Sequence, residues 1–145
     1  MLWKLWIAFT LMAVCVVIHA SSVTAALRWV RTHAGAHGSW PYLSRIWLFV
    51  RIAAWIIFFH LLEISVWATF YWWKNAMPDM SSSLYFSAVT YTTTGYGDLL
   101  LPPDWRLVGG VEALTGILMC GWSTGFFFAV VSGLERSAET NVPRA

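Results

Sequence analysis

Acids, bases and histidines are missing from most of this chain and gather in a few places. Between Lys4 and Arg28 only His19 interrupts an apolar run; between Arg51 and Lys74 only His60 and Glu63 do; between Arg106 and Glu135 only Glu112 does. Each run equals or exceeds the ~20 residues a helix needs to cross about 30 Å of hydrocarbon. The pattern predicts three membrane-spanning helices, over 1–27, 46–74 and 105–134. A fourth apolar stretch, Leu84 to Tyr91, is too short to cross and too apolar to lie in water. Pro78-Asp79 followed by Ser81-Ser82-Ser83 reads as a helix start with Asp79 or Ser81 as N-cap, which predicts a short helix over 80–91. The polar run Thr92 to Asp98, with Gly95 and Gly97, does not continue that helix. Non-helical backbone at membrane depth is tolerated only where it lines water or is buried in protein, so 92–98 is expected to be a re-entrant loop. Pro102-Pro103-Asp104 restarts the chain, with Trp105 at the interface.

Composition agrees with this division. Of 145 residues 59% are hydrophobic and 11% charged, against about 25% charged in an ordinary soluble domain. The apolar content excludes disorder, and a net charge of +2 with no basic run interleaved with aromatics excludes a nucleic-acid binder. Cys15 and Cys120 lie in apolar runs without ligand spacing and are expected to be buried small side chains. Small residues near Ser21, Ala25 and Ala26 raise a cleavable leader as an alternative for the first helix, but its apolar stretch is longer than a leader core. Charge asymmetry sets the orientation. A basic loop over 28–45, with Arg28, Arg31, Arg45 and Arg51 in the segment 28–51 and no acid, is expected inside the cell. The segment 74–106, with Asp79, Asp98 and Asp104, is expected outside, which places the N-terminus outside and the C-terminal tail, 135–145, in the cytoplasm. Only that short tail follows the third span, so no soluble regulatory domain is expected.

Thr93-Thr94-Gly95-Tyr96-Gly97-Asp98 resembles the potassium-channel signature Thr-Val-Gly-Tyr-Gly-Asp, with Thr94 in place of Val. The resemblance covers residues 46–134 in the family's order of outer helix, pore helix, filter and inner helix, with the first helix as an addition. It implies an all-α membrane protein that conducts K⁺ passively, with no enzyme activity and no cofactor, K⁺ being the permeant ion. Carbonyls of Thr93, Thr94, Gly95, Tyr96 and Gly97 would replace the ion's water, and the Thr93 hydroxyl would add an inner ring. Successive carbonyls turn to one axis only if the backbone alternates hand, which Gly95 and Gly97 tolerate. Asp98 would place negative charge at the mouth, with Tyr85 and Thr92 as support, and the short helix would aim its negative end at the cavity. One loop cannot enclose an ion, so a C4 homotetramer in a lipid bilayer is expected, in the plasma membrane of a prokaryote by resemblance. Relatives that brace the filter carry two Trp on the pore helix, and some a Glu behind it; the matching residues here are Tyr85, Phe86 and Val89. Tyr85 retains a donor for Asp98, whereas Phe86 has none for Tyr96. The other reading of the motif is a polar turn between two helices.

Further residues carry alternatives. Gly116 matches the family's gating hinge, with close helix packing as the other reading, and packing is expected at Gly109, Gly110, Gly121, Gly125 and Gly133. Ile117, Thr124 and Phe128 are expected at the cavity or inner mouth, where four Phe128 would form an apolar gate. Glu63 and Glu112 are intramembrane carboxylates, with His60 one turn before Glu63 on the same face, and read either as proton sensors or as neutral struts. His33 and His37 at i,i+4 offer two metal ligands without a third and read as a solvated loop. The tryptophans at 3, 6, 47, 55, 67, 72, 73 and 105 are expected at interfaces or against lipid. Arg45 and Arg51 do not form a voltage-sensing array. Competing functions are a less selective cation channel, a non-conducting accessory subunit, and a haem protein with His19 and His60 as axial ligands.

Overall fold

A computed structural model describes residues 2–34 and 42–140. Its elements are α1 (Leu2–Ala34), α2 (Tyr42–Trp73), α3 (Met80–Tyr91) and α4 (Arg106–Thr140), with one 3₁₀ turn, Pro103–Trp105, leading into α4. The described residues contain no strand. Segments of α1, α2 and α4 are long and apolar enough to cross a membrane, so the chain is an all-α, multi-pass membrane protein.

The helices outrun the apolar windows that predict them. Arg28 and Arg31 lie on the last turns of α1, and Arg45 lies within the first turns of α2, rather than in one loop over 28–45. Hydropathy marks where lipid ends, whereas a helix continues until its backbone hydrogen bonds are interrupted. Arg51 lies over the Trp29 ring at 4.6 Å, so the basic ends of α1 and α2 meet.

Local chemistry sets the turns between α2 and α4. Asn75, at φ 50°, ends α2 by entering the left-handed region. Its N–H donates to Trp72 O at 3.0 Å and that of Ala76 to Tyr71 O at 2.9 Å, the paired bonds of a Schellman closure. Asp79 then caps α3, its Oδ1 accepting from Ser82 N at 2.7 Å, and this contact holds the Asp79 carboxyl below the usual carboxylate range.

Two apolar clusters hold the bundle. One joins Trp67, Phe70 and Tyr71 of α2 to Tyr91, Leu101, Val108 and Met119, with Ala8 and Cys15 of α1. The other joins Leu48 and Ile52 of α2 to Phe126 and Val130 of α4, covered by Val23, Leu27 and Val30 of α1. The first helix thus lies along the seam between α2 and α4. At its start, Lys4 Nζ bonds the Asp104 carbonyl at 3.0 Å and lies 4.9 Å from the Trp105 ring centre, so the beginning of α1 stands at the same end as the 92–105 segment. Most tryptophans face outward as expected; Trp67 does not, being fully buried in the first cluster. Cys15 is buried but Cys120 is exposed on the single chain, contrary to the expectation for the pair.

Candidate functional site

The loop over 92–98 follows directly from the C-terminus of α3. Thr92 N donates to Ala88 O at 3.1 Å, Thr94 N to Val89 O at 2.9 Å and Gly95 N to Val89 O at 3.2 Å. These bonds use the orphan carbonyls at the helix end and turn the chain back on itself. Beyond them the backbone alternates: Thr93, Gly95 and Gly97 have φ of 59°, 57° and 77°, while the residues between them stay outside the positive region. The glycines meet that need without a Cβ penalty. Thr93 meets it as a non-glycine residue, a feature that side-chain type does not announce. A Cβ added at Gly95 or Gly97 would meet no atom within 4 Å, so backbone hand rather than space demands glycine there.

Support for the loop is of mixed polarity. Tyr85 Oη donates to Asp98 Oδ2 at 2.7 Å; this bond holds the Asp98 carboxyl below the usual carboxylate range and raises the Tyr85 phenol. Thr92 Oγ1 donates to Ala88 O at 2.7 Å and lies 2.9 Å from Thr94 Oγ1. Phe86 makes no polar contact and packs edge-on against Tyr71 at 5.4 Å. Tyr96 is 72% exposed on the single chain.

Behind the loop, five side chains close a ring of hydrogen bonds. Glu63 Oε1 faces His19 Nδ1 at 2.9 Å; His19 Nε2 faces Ser123 Oγ at 3.2 Å; Ser123 Oγ faces His60 Nε2 at 3.0 Å; His60 Nδ1 faces Tyr91 Oη at 3.0 Å; and Tyr91 Oη donates to Glu63 Oε2. The ring draws one member or more from each of α1, α2, α3 and α4. Glu63 is fully buried and His19 nearly so, and a carboxyl or imidazole that deep is tolerable only when its hydrogen-bond partners are supplied. The sequence marks three of the five as polar interruptions of apolar runs, His19, His60 and Glu63. Tyr91 and Ser123 go unmarked, because a tyrosine at a helix end and a serine on a helix are both ordinary. Both Nε2 atoms reach the one serine oxygen, and the two imidazole ring centres stand 5.3 Å apart.

Glu112 forms a second buried contact, its Oε2 accepting from Tyr71 Oη at 2.8 Å. It ties α4 to α2 beside α3, where Ser87 is also fully buried. Gly116 lies where α4 meets the end of α3: an added Cβ would stand 1.8 Å from the Tyr91 carbonyl oxygen, so close packing alone requires glycine. Gly121 and Gly125 differ, having nothing within 4 Å in this chain. Ile117 and Phe128 are 58% and 71% exposed, and Thr124 is exposed too. Together with Gly121 they form one uncovered stripe of α4 at helical spacing. His33 is in α1, but its side chain and His37 lie outside the described residues.

No curated protein and no solved structure matches the chain. The ion channel family does match, over residues 45–133, a segment that begins within α2, contains α3 and the 92–98 loop, and ends within α4. That segment is well over half of the sequence and holds both spans that flank the re-entrant loop; the chain belongs to the ion channel family, of the potassium-channel pore type.

Proposed function

We propose that four identical chains assemble about a fourfold axis and conduct K⁺ selectively and passively through their 92–98 loops. The alternating hand of the backbone at Thr93, Gly95 and Gly97 carries this reading. Alternation turns consecutive carbonyls to the same side, and four such strands around an axis supply stacked rings of oxygens to a dehydrated ion. Thr93, Thr94, Gly95, Tyr96 and Gly97 contribute the carbonyls, Thr93 adds the inner hydroxyl ring, and Asp98 supplies the charge at the mouth. The uncovered stripe of Ile117, Thr124 and Phe128 supports an assembly in which this face of α4 lines the conduction path. The C-terminal end of α3 carries the negative end of its dipole toward that path and favours a cation there. Lys4 and Asp104 share one end of the molecule, which accords with an outer face holding the N-terminus, the loop and its acids, and an inner face holding the arginines of α1 and α2.

The non-polar Phe86 favours one second reading, a cation pore whose filter deforms and discriminates weakly. Flux through purified protein in liposomes separates them. K⁺ flux that exceeds Na⁺ flux and is abolished in Gly95→Ala is the expected result. Equal flux of the two ions demotes the loop to a cation pore, and intact tetramers that pass neither ion even as Phe128→Ala indicate an accessory subunit.

A further inference from the structure

We propose that His19, His60 and Glu63 form a binding site for a first-row divalent transition-metal ion, Zn²⁺ being the species the donor set fits best. One ligand atom from each of the three lies within 4.8 Å of the others. Two imidazoles and one carboxylate are a recurrent zinc set, with bonds of ~2.0–2.1 Å in a tetrahedral arrangement that spaces ligands about 3.3 Å apart. The widest separation therefore closes by at most about 1.5 Å, within the reach of side-chain rotation, and His19 Nδ1 already stands 2.9 Å from Glu63 Oε1. Tyr91 Oη, 3.0 Å from His60 Nδ1, is placed to complete the fourth corner.

The outer partners of the site favour the same reading. A metal-bound imidazole donates its other N–H to a fixed acceptor, which sets the tautomer and the ring plane. Here both Nδ1 atoms turn toward Glu63 and both Nε2 atoms toward Ser123 Oγ, at 3.2 and 3.0 Å. A hydroxyl oxygen has two lone pairs and accepts from both rings at once. The ring of hydrogen bonds thus becomes a metal site by moving protons while both imidazoles keep their outer partner. His19 is further fixed by Trp122, stacked on it at 6.0 Å with the planes 21° apart.

Binding has a consequence for the conduction proposed above. An ion on Glu63 competes for the carboxylate that accepts from Tyr91, the residue immediately before the 92–98 loop. Zn²⁺ is therefore expected to alter K⁺ flux from behind the loop. That effect rests on the proposed function, whereas binding does not.

Binding is tested first and without flux. Chelator-stripped protein, purified as the intact assembly, is titrated with Co²⁺, whose visible bands report a tetrahedral nitrogen and oxygen environment. The expected result is one Co²⁺ per chain, displaced by Zn²⁺, retained in His33→Ala/His37→Ala and lost in His19→Gln. Ser123→Ala keeps all three ligands, folds without loss of a buried charge, and is expected to lower affinity ~10–100-fold. Folded wild type that takes up no stoichiometric Co²⁺ overturns the site. So does binding that disappears with His33 and His37, or that has full affinity in folded His19→Gln.

Discussion

At the scale of single residues, hydrogen-bond partners decide what each polar group is for. The Tyr85–Asp98 bond lowers the Asp98 carboxyl, so the contact is fully present above the ordinary carboxylate range and is lost as pH falls through the lowered value. Tyr85→Phe removes the donor, and the acid end of this window moves up toward the ordinary range; carbon NMR of the Asp98 carboxyl against pH reads the shift directly. Tyr71 is the donor to Glu112 Oε2, both groups being fully buried. Tyr71→Phe leaves that oxygen without its donor and is expected to destabilise the folded chain by about 1–3 kcal/mol, seen as a lower thermal midpoint in detergent. Gly116 admits no side chain, since its Cβ would overlap the Tyr91 carbonyl. Gly116→Ala must displace α3 or α4 and costs about 3 kcal/mol or more, whereas Gly121→Ala, with open space around it, leaves the fold of the single chain intact. Comparing the thermal stability of the two variants tests this contrast.

At the scale of elements, the existence of every helix is legible in the sequence and several of their ends are not. Gaps between charges reveal α1, α2 and α4, and the Pro-Asp-Ser run reveals α3 with its Asp79 cap. The continuation of α1 to Ala34 is hidden, because charged residues leave the lipid without leaving the helix. The left-handed closure at Asn75 is a local signal that asparagine carries, and it stops α2 one residue short of the expected 74. The candidate site divides in the same way. Gly95 and Gly97 declare the loop from their spacing, while the hydrogen-bonded ring unites residues 19, 60, 63, 91 and 123, a set that only tertiary packing assembles. Elements also differ in how firmly they are tied. The Lys4–Asp104 pair is largely solvent-facing on its acidic side, with Asp104 83% exposed, and pairs of that kind contribute under about 1 kcal/mol. Lys4→Ala is therefore expected to leave the docking of α1 unchanged, while loss of His19 loosens it, a difference that limited proteolysis of the two variants would register.

At the scale of the whole molecule, the single chain leaves much of its apolar surface uncovered, including Leu114, Ile117, Leu118 and Phe128 on α4. Lipid can cover some of that surface, but Thr124, Gly121 and Gly125 in the same region are better suited to close contact with protein or water. The proposed fourfold assembly accounts for both. Chemical cross-linking in native membranes should give a ladder that stops at four chains; a ladder stopping at two would reject the assembly. Within such an assembly Phe128→Ala removes the largest side chain of the Ile117–Phe128 stripe and is expected to raise resting K⁺ flux severalfold.

The contact of Gly116 with the Tyr91 carbonyl also has a mechanical meaning. It is a fulcrum. Above it α4 is pinned through Glu112 and Val108 to the elements that carry the loop. Below it the helix continues to Gly133, about 25 Å further at 1.5 Å per residue. In the proposed assembly, a tilt of only ~5° about this point, with Phe126 and Val130 sliding against Leu48 and Ile52, would sweep the far end through roughly 2 Å, so a lever of this length would open an inner mouth without displacing the 92–98 loop.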